Sequence, residues 1–304
     1  DADNARNIAL MEEANRPGPP LAYEVNAGGG GTYHGVADAH ALDQPLGGLG
    51  SDARLDMIGG AALFDRLWVS SPASTLASDG LGPLFNARSC AACHMNAGRG
   101  GLVAGRVLRL SGPAGGPHPE FGTQIQDRAL AGFTPEGELS LNWEEHDVTL
   151  SDGEIVTLRR PIALIDTKHP GFPVSLRQAP PLIGLGLIEA IPSEDIAALA
   201  DPQDADGNGI SGRLAWVFST RYGSTLPGRF GWKATMPTLS DQTADAFFTD
   251  MGLSSPARPQ DWGDCTPGQT LCRAGPHGGD PEHGGVEVGS VALDLVTDYL
   301  RGLS

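Results

Sequence analysis

The sequence predicts a mainly α fold with long irregular loops and a small antiparallel β insertion, and three observations carry that expectation. Apolar residues recur at helical spacing in several separate stretches. Gly (43) and Pro (24) are abundant in the 304 residues, without a collagen period or low-complexity run. Between about 102 and 165 the pattern changes to short alternating runs, which suit strands.

In chain order, residues 1–16 have a helical look and end at Arg16-Pro-Gly-Pro-Pro, and the glycines Gly28 to Gly31 read as a flexible connector. From Asp52 to Trp68 a stripe of Leu55, Met57, Ile58, Ala62, Leu63, Phe64 and Leu67 predicts a helix with Ser51 or Asp52 as N-cap. Val107-Leu-Arg-Leu, Val148-Thr-Leu and Ile155-Val-Thr-Leu predict strands, the last two joined by an Asp152-Gly153 turn. Helix returns at 193–200, with Ser193 as cap and Glu194 and Asp195 complementing the dipole, then at about 240–251 and 291–301. This divides the chain into an N-terminal extension, 1–41, and one domain, 42–304, with a β-rich insertion at about 102–165.

A formal net charge of −17 argues against nucleic-acid binding, which needs a basic surface to displace counterions from phosphates. No apolar run of about 18 residues is present to span a membrane. The chain begins at Asp1 without a signal-like segment, as a processed secretory chain or a trimmed one would. Cys265 and Cys272 flank a Gly/Pro/Thr loop and read as a local disulfide, which requires an oxidising compartment; free thiols or half a metal site are the alternatives.

The other two cysteines form Cys90-Ala-Ala-Cys93-His94, the attachment pattern for c-type haem. A two-residue spacer places both sulfurs on one side of a single turn, where they add to the vinyl groups, and the adjacent imidazole ligates iron. A Cys-x-x-Cys redox pair of the thioredoxin kind is the competing reading, but it needs a βαβ unit around the motif. Arg88 and Arg99 are placed to pair with haem propionates or, equally, to be surface arginines. The distal ligand decides between electron carrier and enzyme: a Met closes the site, whereas a vacant position admits peroxide. Met236, in Ala-Thr-Met-Pro-Thr, is the candidate that looks least like core, beside Met57, Met251 and His40.

Asp204-Ala-Asp206-Gly-Asn208-Gly-Ile210 matches the first half of a calcium loop, with oxygen ligands at alternate positions and a carbonyl at Ile210. Its twelfth position is Ala215 rather than Glu, so Asp201 or a distant residue would have to complete it; a turn satisfied by its own amides is the alternative. His277 and His283 lie in a Gly/Pro loop and read as solvent-exposed. No carboxylate spacing singles out a catalytic acid/base pair.

The stretch Leu81-Gly-Pro-Leu-Phe-Asn-Ala-Arg-Ser-Cys-Ala-Ala-Cys-His94 with Gly98-Arg-Gly-Gly resembles the first haem motif of the bacterial di-haem oxidoreductases. Val156-Thr-Leu-Arg-Arg-Pro, Ala179 to Pro192, Asp204 to Gly212 and Gly228-Arg-Phe-Gly-Trp-Lys-Ala234 are similar to that family's other blocks, in the same order, over about 42–303. Members are described as peroxidases and often labelled thiol oxidoreductases. The resemblance implies a cytochrome c-like haem domain, one covalent haem on Cys90, Cys93 and His94, the Cys265–Cys272 pairing and, less firmly, calcium. It also implies a second haem domain after the helix ending at Leu303, beyond the 304 residues of this sequence, so the expectation is either a first-haem fragment or a mono-haem member; a two-haem peroxidase mechanism needs that domain. The expected function is a periplasmic or otherwise secreted c-type redox protein that passes electrons to a basic partner or a second haem domain. Peroxide turnover at an open iron, and a haem-bearing binding module of an iron-acquisition system, are the alternatives.

Overall fold

The structure, a computed structural model, describes residues 18–101, 104–112, 115–166 and 173–304. The helix expected at 1–16 lies outside the described residues. In chain order come α1 (Ala22–Val25), α2 (Ser51–Asp65), β1 (Leu84–Phe85), β2 (Arg106–Leu110), β3 (Arg128–Ala129), β4 (Glu138–Thr149), β5 (Ile155–Asp166) and β6 (Val174–Gln178). There follow α3 (Leu185–Ala190), α4 (Ser193–Ala198), β7 (Trp216–Ser219), β8 (Ser224–Pro227), α5 (Leu239–Met251), α6 (Thr270–Arg273) and α7 (Ser290–Arg301).

These elements overturn the expected mainly α fold. Helix accounts for 26% and strand for 22%, in seven short helices and four two-stranded antiparallel sheets among the described residues. Glycine and proline interrupt the chain too often for long helices, so among the described residues only α2, α5 and α7 exceed two turns. The strand content was underestimated because several strands find partners far away in sequence. Strand β2 pairs with β6, Arg106 opposite Gln178, and β1 with β3, while β7 and β8 are too short for alternation to mark them. The expected hairpin at Asp152-Gly153 is only the tip of a ribbon in which β4 and β5 pair from Glu138↔Asp166 to Thr149↔Ile155.

The core is built where α2 crosses α7. A Cβ added at Gly60 would lie 2.1 Å from the Leu295 carbonyl oxygen and 2.7 Å from Tyr299 Cβ, so the two backbones meet because this residue has no side chain. One turn on, Phe64 stacks obliquely on Tyr299 at 5.2 Å between ring centroids. Met57, Phe64, Trp68, Leu81, Phe247, Met251, Leu293, Val296 and Leu300 share this buried cluster, joined by Cys90 and Ala91 from the cysteine motif. A smaller cluster of Leu108, Leu110, Phe121 and Ile125 anchors the base of the ribbon through Ala163 and Ile165.

Local details differ from the expected caps. Gly50, not Ser51 or Asp52, is the N-cap of α2, without a side-chain bond. Ser193 is the first residue of α4 rather than its cap, and its Oγ accepts from Arg229. Helix α5 has a side-chain cap, with Thr238 Oγ1 accepting from Asp241 N at 3.0 Å. Gly29–Gly31 form a single 3₁₀ turn instead of a connector, and Gly31 O accepts from Gly47 N at 3.1 Å. Cys265 and Cys272 are joined in the expected disulfide, Cα atoms 6.2 Å apart. No helix among the described residues is long and apolar enough to cross a membrane.

Candidate functional site

The Cys90 carbonyl accepts from Cys93 N at 3.1 Å and from His94 N at 2.9 Å, and Ser89 Oγ accepts from Ala92 N at 3.2 Å. This winds Cys90, Cys93 and His94 onto one turn. Its first half is seated on the end of α2, where Ala91 N donates to Phe64 O at 3.3 Å. The chain then turns through Asn96 (φ +51°) and Ala97 (φ +54°), two consecutive non-glycine residues in the left-handed region. Such a conformation costs of order 1–3 kcal/mol per residue and persists only where its surroundings impose it. Here they do: Ala97 is fully buried, its carbonyl accepts from Leu182 N at 2.9 Å, and Asn96 Nδ2 donates to Ala39 O at 2.7 Å.

Gly100 and Gly105 tie the motif to the segment after β6. Gly100 N donates to Ala179 O at 2.9 Å, and Ala179 N to Gly105 O at 2.7 Å. Gly105 passes so close beneath the motif that a Cβ there would lie 2.5 Å from Cys93 O. This brings Pro180 beside the imidazole, and its carbonyl takes a hydrogen bond from His94 Nδ1 at 2.9 Å. A proton on Nδ1 leaves the lone pair on Nε2, the arrangement that fixes the tautomer and ring plane of a metal-ligating histidine. Burial lowers the His94 pKa below its usual value, partly offset by the Pro180 and Gly98 backbone, so the imidazole is neutral near pH 7. Phe64 packs near it, ring centroids 6.4 Å apart.

Both thiols are held neutral. Burial and then the charge of Asp250 push Cys90 up to about 12, and the same two causes push Cys93 up to about 11. A redox-active Cys-x-x-Cys needs a depressed thiol pKa, and the four sheets are all antiparallel, so among the described residues no βαβ unit surrounds the motif as in a thioredoxin-like pair. The donor set, two thiols and one neutral imidazole on a single turn, fits the covalent haem that the motif predicts.

The remaining candidates are placed as follows. Arg88 is exposed, and its Nε donates to Trp68 O at 2.9 Å, joining the segment after α2 to the motif; Arg99 is exposed. Met236 is half-buried in a loop closed by its own bridge to Phe230. Met57 and Met251 are core residues, Met57 packed against Gly302. His40 is exposed and paired with Asp43 at 2.7 Å, which raises its pKa through that hydrogen bond and charge. Carboxylate oxygens of Asp201, Asp204 and Asp206 lie within 4.8 Å of one another. They also accept from their own loop: Asp201 from Ala205 N at 2.9 Å, Asp204 from Gly209 N at 3.1 Å and Asp206 from Asn208 N at 3.1 Å. Asn208 turns its amide toward Asp206, and Ile210 N donates to Asn208 Oδ1 at 2.8 Å. His277 and His283 are exposed beside Asp261 and Asp280, as their loop composition predicts.

Sequence reasoning missed Pro180, Asn96, Ala97 and Gly105. Pro180 acts through a backbone carbonyl, which no side-chain pattern signals.

A sequence profile of the family described as "Di-haem oxidoreductase, putative peroxidase" matches residues 22–107 and 170–300. The ribbon, with the Val156-Thr-Leu-Arg-Arg-Pro block, falls outside the match. No curated protein and no solved structure matches the chain.

Proposed function

Because the chain belongs to the di-haem oxidoreductase family, we propose that it is a c-type haem redox protein, the first-haem part of such an oxidoreductase. Cys90 and Cys93 would hold one haem as thioethers, and His94 would ligate its iron. The observation that carries this reading is the Nδ1 hydrogen bond from His94 to the Pro180 carbonyl, which presets a neutral imidazole on the same turn as two neutral thiols. When bound, the haem supplies a one-electron iron couple. The chain's own residues set its conditions: the Pro180 carbonyl orients His94 and raises its basicity, and Phe64, part of the core at the α2–α7 crossing, packs against its ring. Arg88 and Arg99 are the side chains we assign to the propionates, and Met236 is the candidate that would supply a second iron ligand.

A periplasmic or otherwise secreted location agrees with the Cys265–Cys272 disulfide, since such bonds persist in oxidising compartments. The net charge of −17 favours a basic electron-transfer partner. The loop at Asp201, Asp204 and Asp206 would hold a calcium ion, with Asn208 and the Ile210 carbonyl as the further ligands its sequence offers.

The test is expression with cytochrome c assembly machinery, followed by a pyridine haemochrome assay. One covalent haem is expected in the native protein and none in Cys90→Ser/Cys93→Ser; a negative native protein would sink the reading. The optical spectrum then separates the two chemistries. A low-spin spectrum with a methionine-sulfur charge-transfer band marks an electron carrier, whereas high-spin bands that shift with peroxide mark the peroxidase that the family description names.

A further inference from the structure

We infer that Trp232 is the surface terminus of the electron path to the haem iron, an inference that rests on the function proposed above. Its indole Nε1 donates to the Gln178 carbonyl at 3.0 Å. Two residues further along the same backbone, the Pro180 carbonyl accepts from His94 Nδ1 at 2.9 Å. The axial imidazole and the indole are therefore joined by two hydrogen bonds and the short stretch of peptide between them. Electronic coupling decays slowly along covalent and hydrogen bonds and steeply across gaps, so a surface group wired in this way exchanges electrons faster than an unwired one at the same distance.

The intervening segment is held still. Gln178 pairs with Arg106 across the β2–β6 ladder, its side-chain amide donates to Gly101 O at 3.1 Å, and Ala179 is bonded on both sides to Gly100 and Gly105. The loop bearing Trp232 is closed by the Phe230–Met236 bridge and by Ala234 N donating to Gly231 O at 3.1 Å. Trp232 itself is 64% exposed, so a redox partner can touch the ring whose N–H is anchored on the Gln178 carbonyl. Two other tryptophans are exposed: Trp143, under Arg159 on the ribbon, and Trp216, at the start of β7, whose partner strand β8 leads into the Trp232 loop. The partner is a one-electron redox protein; one electron crosses, no bond forms or breaks, and no proton moves.

The experiment uses the haem-loaded protein carrying Lys233→Cys labelled with a ruthenium bipyridyl complex, the other cysteines being consumed as thioethers and disulfide. Flash photolysis times one electron passing from the excited ruthenium(II) label to ferric haem, leaving ruthenium(III) and ferrous iron. Trp232→Phe, which keeps a ring but loses the N–H, is expected to slow the transfer severalfold, and Trp232→Ala to slow it further. The optical spectrum, midpoint potential and urea midpoint are expected to stay as in the labelled parent, because the residue is exposed and contributes one hydrogen bond. Equal rates in all three proteins, with covalent haem present, would overturn this inference alone. Absence of covalent haem would overturn the functional reading and this inference with it.

Discussion

Replacing Gly60 by Ala tests the packing that holds the site. Two effects of opposite sign compete. In a helix interior Ala is favoured over Gly by about 1 kcal/mol, because it restricts the unfolded chain and shields the backbone. Against this, the new methyl would sit 2.1 Å from the Leu295 carbonyl oxygen and 2.9 Å from its carbonyl carbon, in the backbone of α7, where no rotamer change relieves it. A relaxed carbon–oxygen contact is about 3.3–3.6 Å, so the helices must part by about 1 Å. Overpacking of that kind costs about 1–3 kcal/mol, and the parting also loosens Phe64 against Tyr299 and His94. The clash outweighs the propensity gain, and a net loss of up to about 2 kcal/mol is expected. Gly59 is the internal control: a Cβ there meets only Leu295 methyls at 3.7 Å, an ordinary contact, so Gly59→Ala is expected to gain up to about 1 kcal/mol. Urea unfolding followed by circular dichroism reads both, as shifts of midpoint at unchanged slope. If Gly60→Ala unfolds at or above the parental midpoint, the close crossing of α2 and α7 is wrong.

Two further outcomes are expected. Burial pushes Glu136 from the ordinary glutamate value of 4.5 up to about 8, and Asp264 from 3.8 up to about 6, so the folded state binds protons that the unfolded chain has released. Stability is then greatest in mild acid and falls as pH rises toward 8. Glu136→Gln should flatten that decline in denaturation midpoints measured across this range, and an unchanged slope would refute the assignment. Calcium added to the full chain is expected to raise the melting temperature and to give a binding isotherm that Asp204→Asn abolishes. A flat titration of the native protein would mean that the loop amides already satisfy the three carboxylates.

Much of the site was legible in the chain because its chemistry is local. The Cys90–Cys93–His94 spacing is that of one turn, and the turn is there; the loop between Cys265 and Cys272 is short enough to close on itself, and it does. The stripes of α2, α5 and α7 were found to within three residues at each end, since helix periodicity is written over consecutive turns. Caps were less legible, as Gly50 and Ser193 show, because several adjacent residues can serve and tertiary contacts choose among them. The balance of helix and strand was misjudged where partners are distant. Nothing in Val107-Leu-Arg-Leu announces Ser175 and Leu176 as its neighbours.

The sequence by itself determined which atoms are available: two thiols, an imidazole, a disulfide and a strongly acidic surface. Tertiary structure alone decided their state. It buried the thiols beside Asp250, put the Pro180 carbonyl, 86 positions away in sequence, on His94 Nδ1, and forced Asn96 and Ala97 into left-handed turns to make room. It also hung Trp232 from the same backbone that holds the imidazole. The division has one physical cause: residue type and spacing fix what a turn can do, whereas protonation, tautomer and electronic connection depend on groups that only long-range packing brings within hydrogen-bond reach.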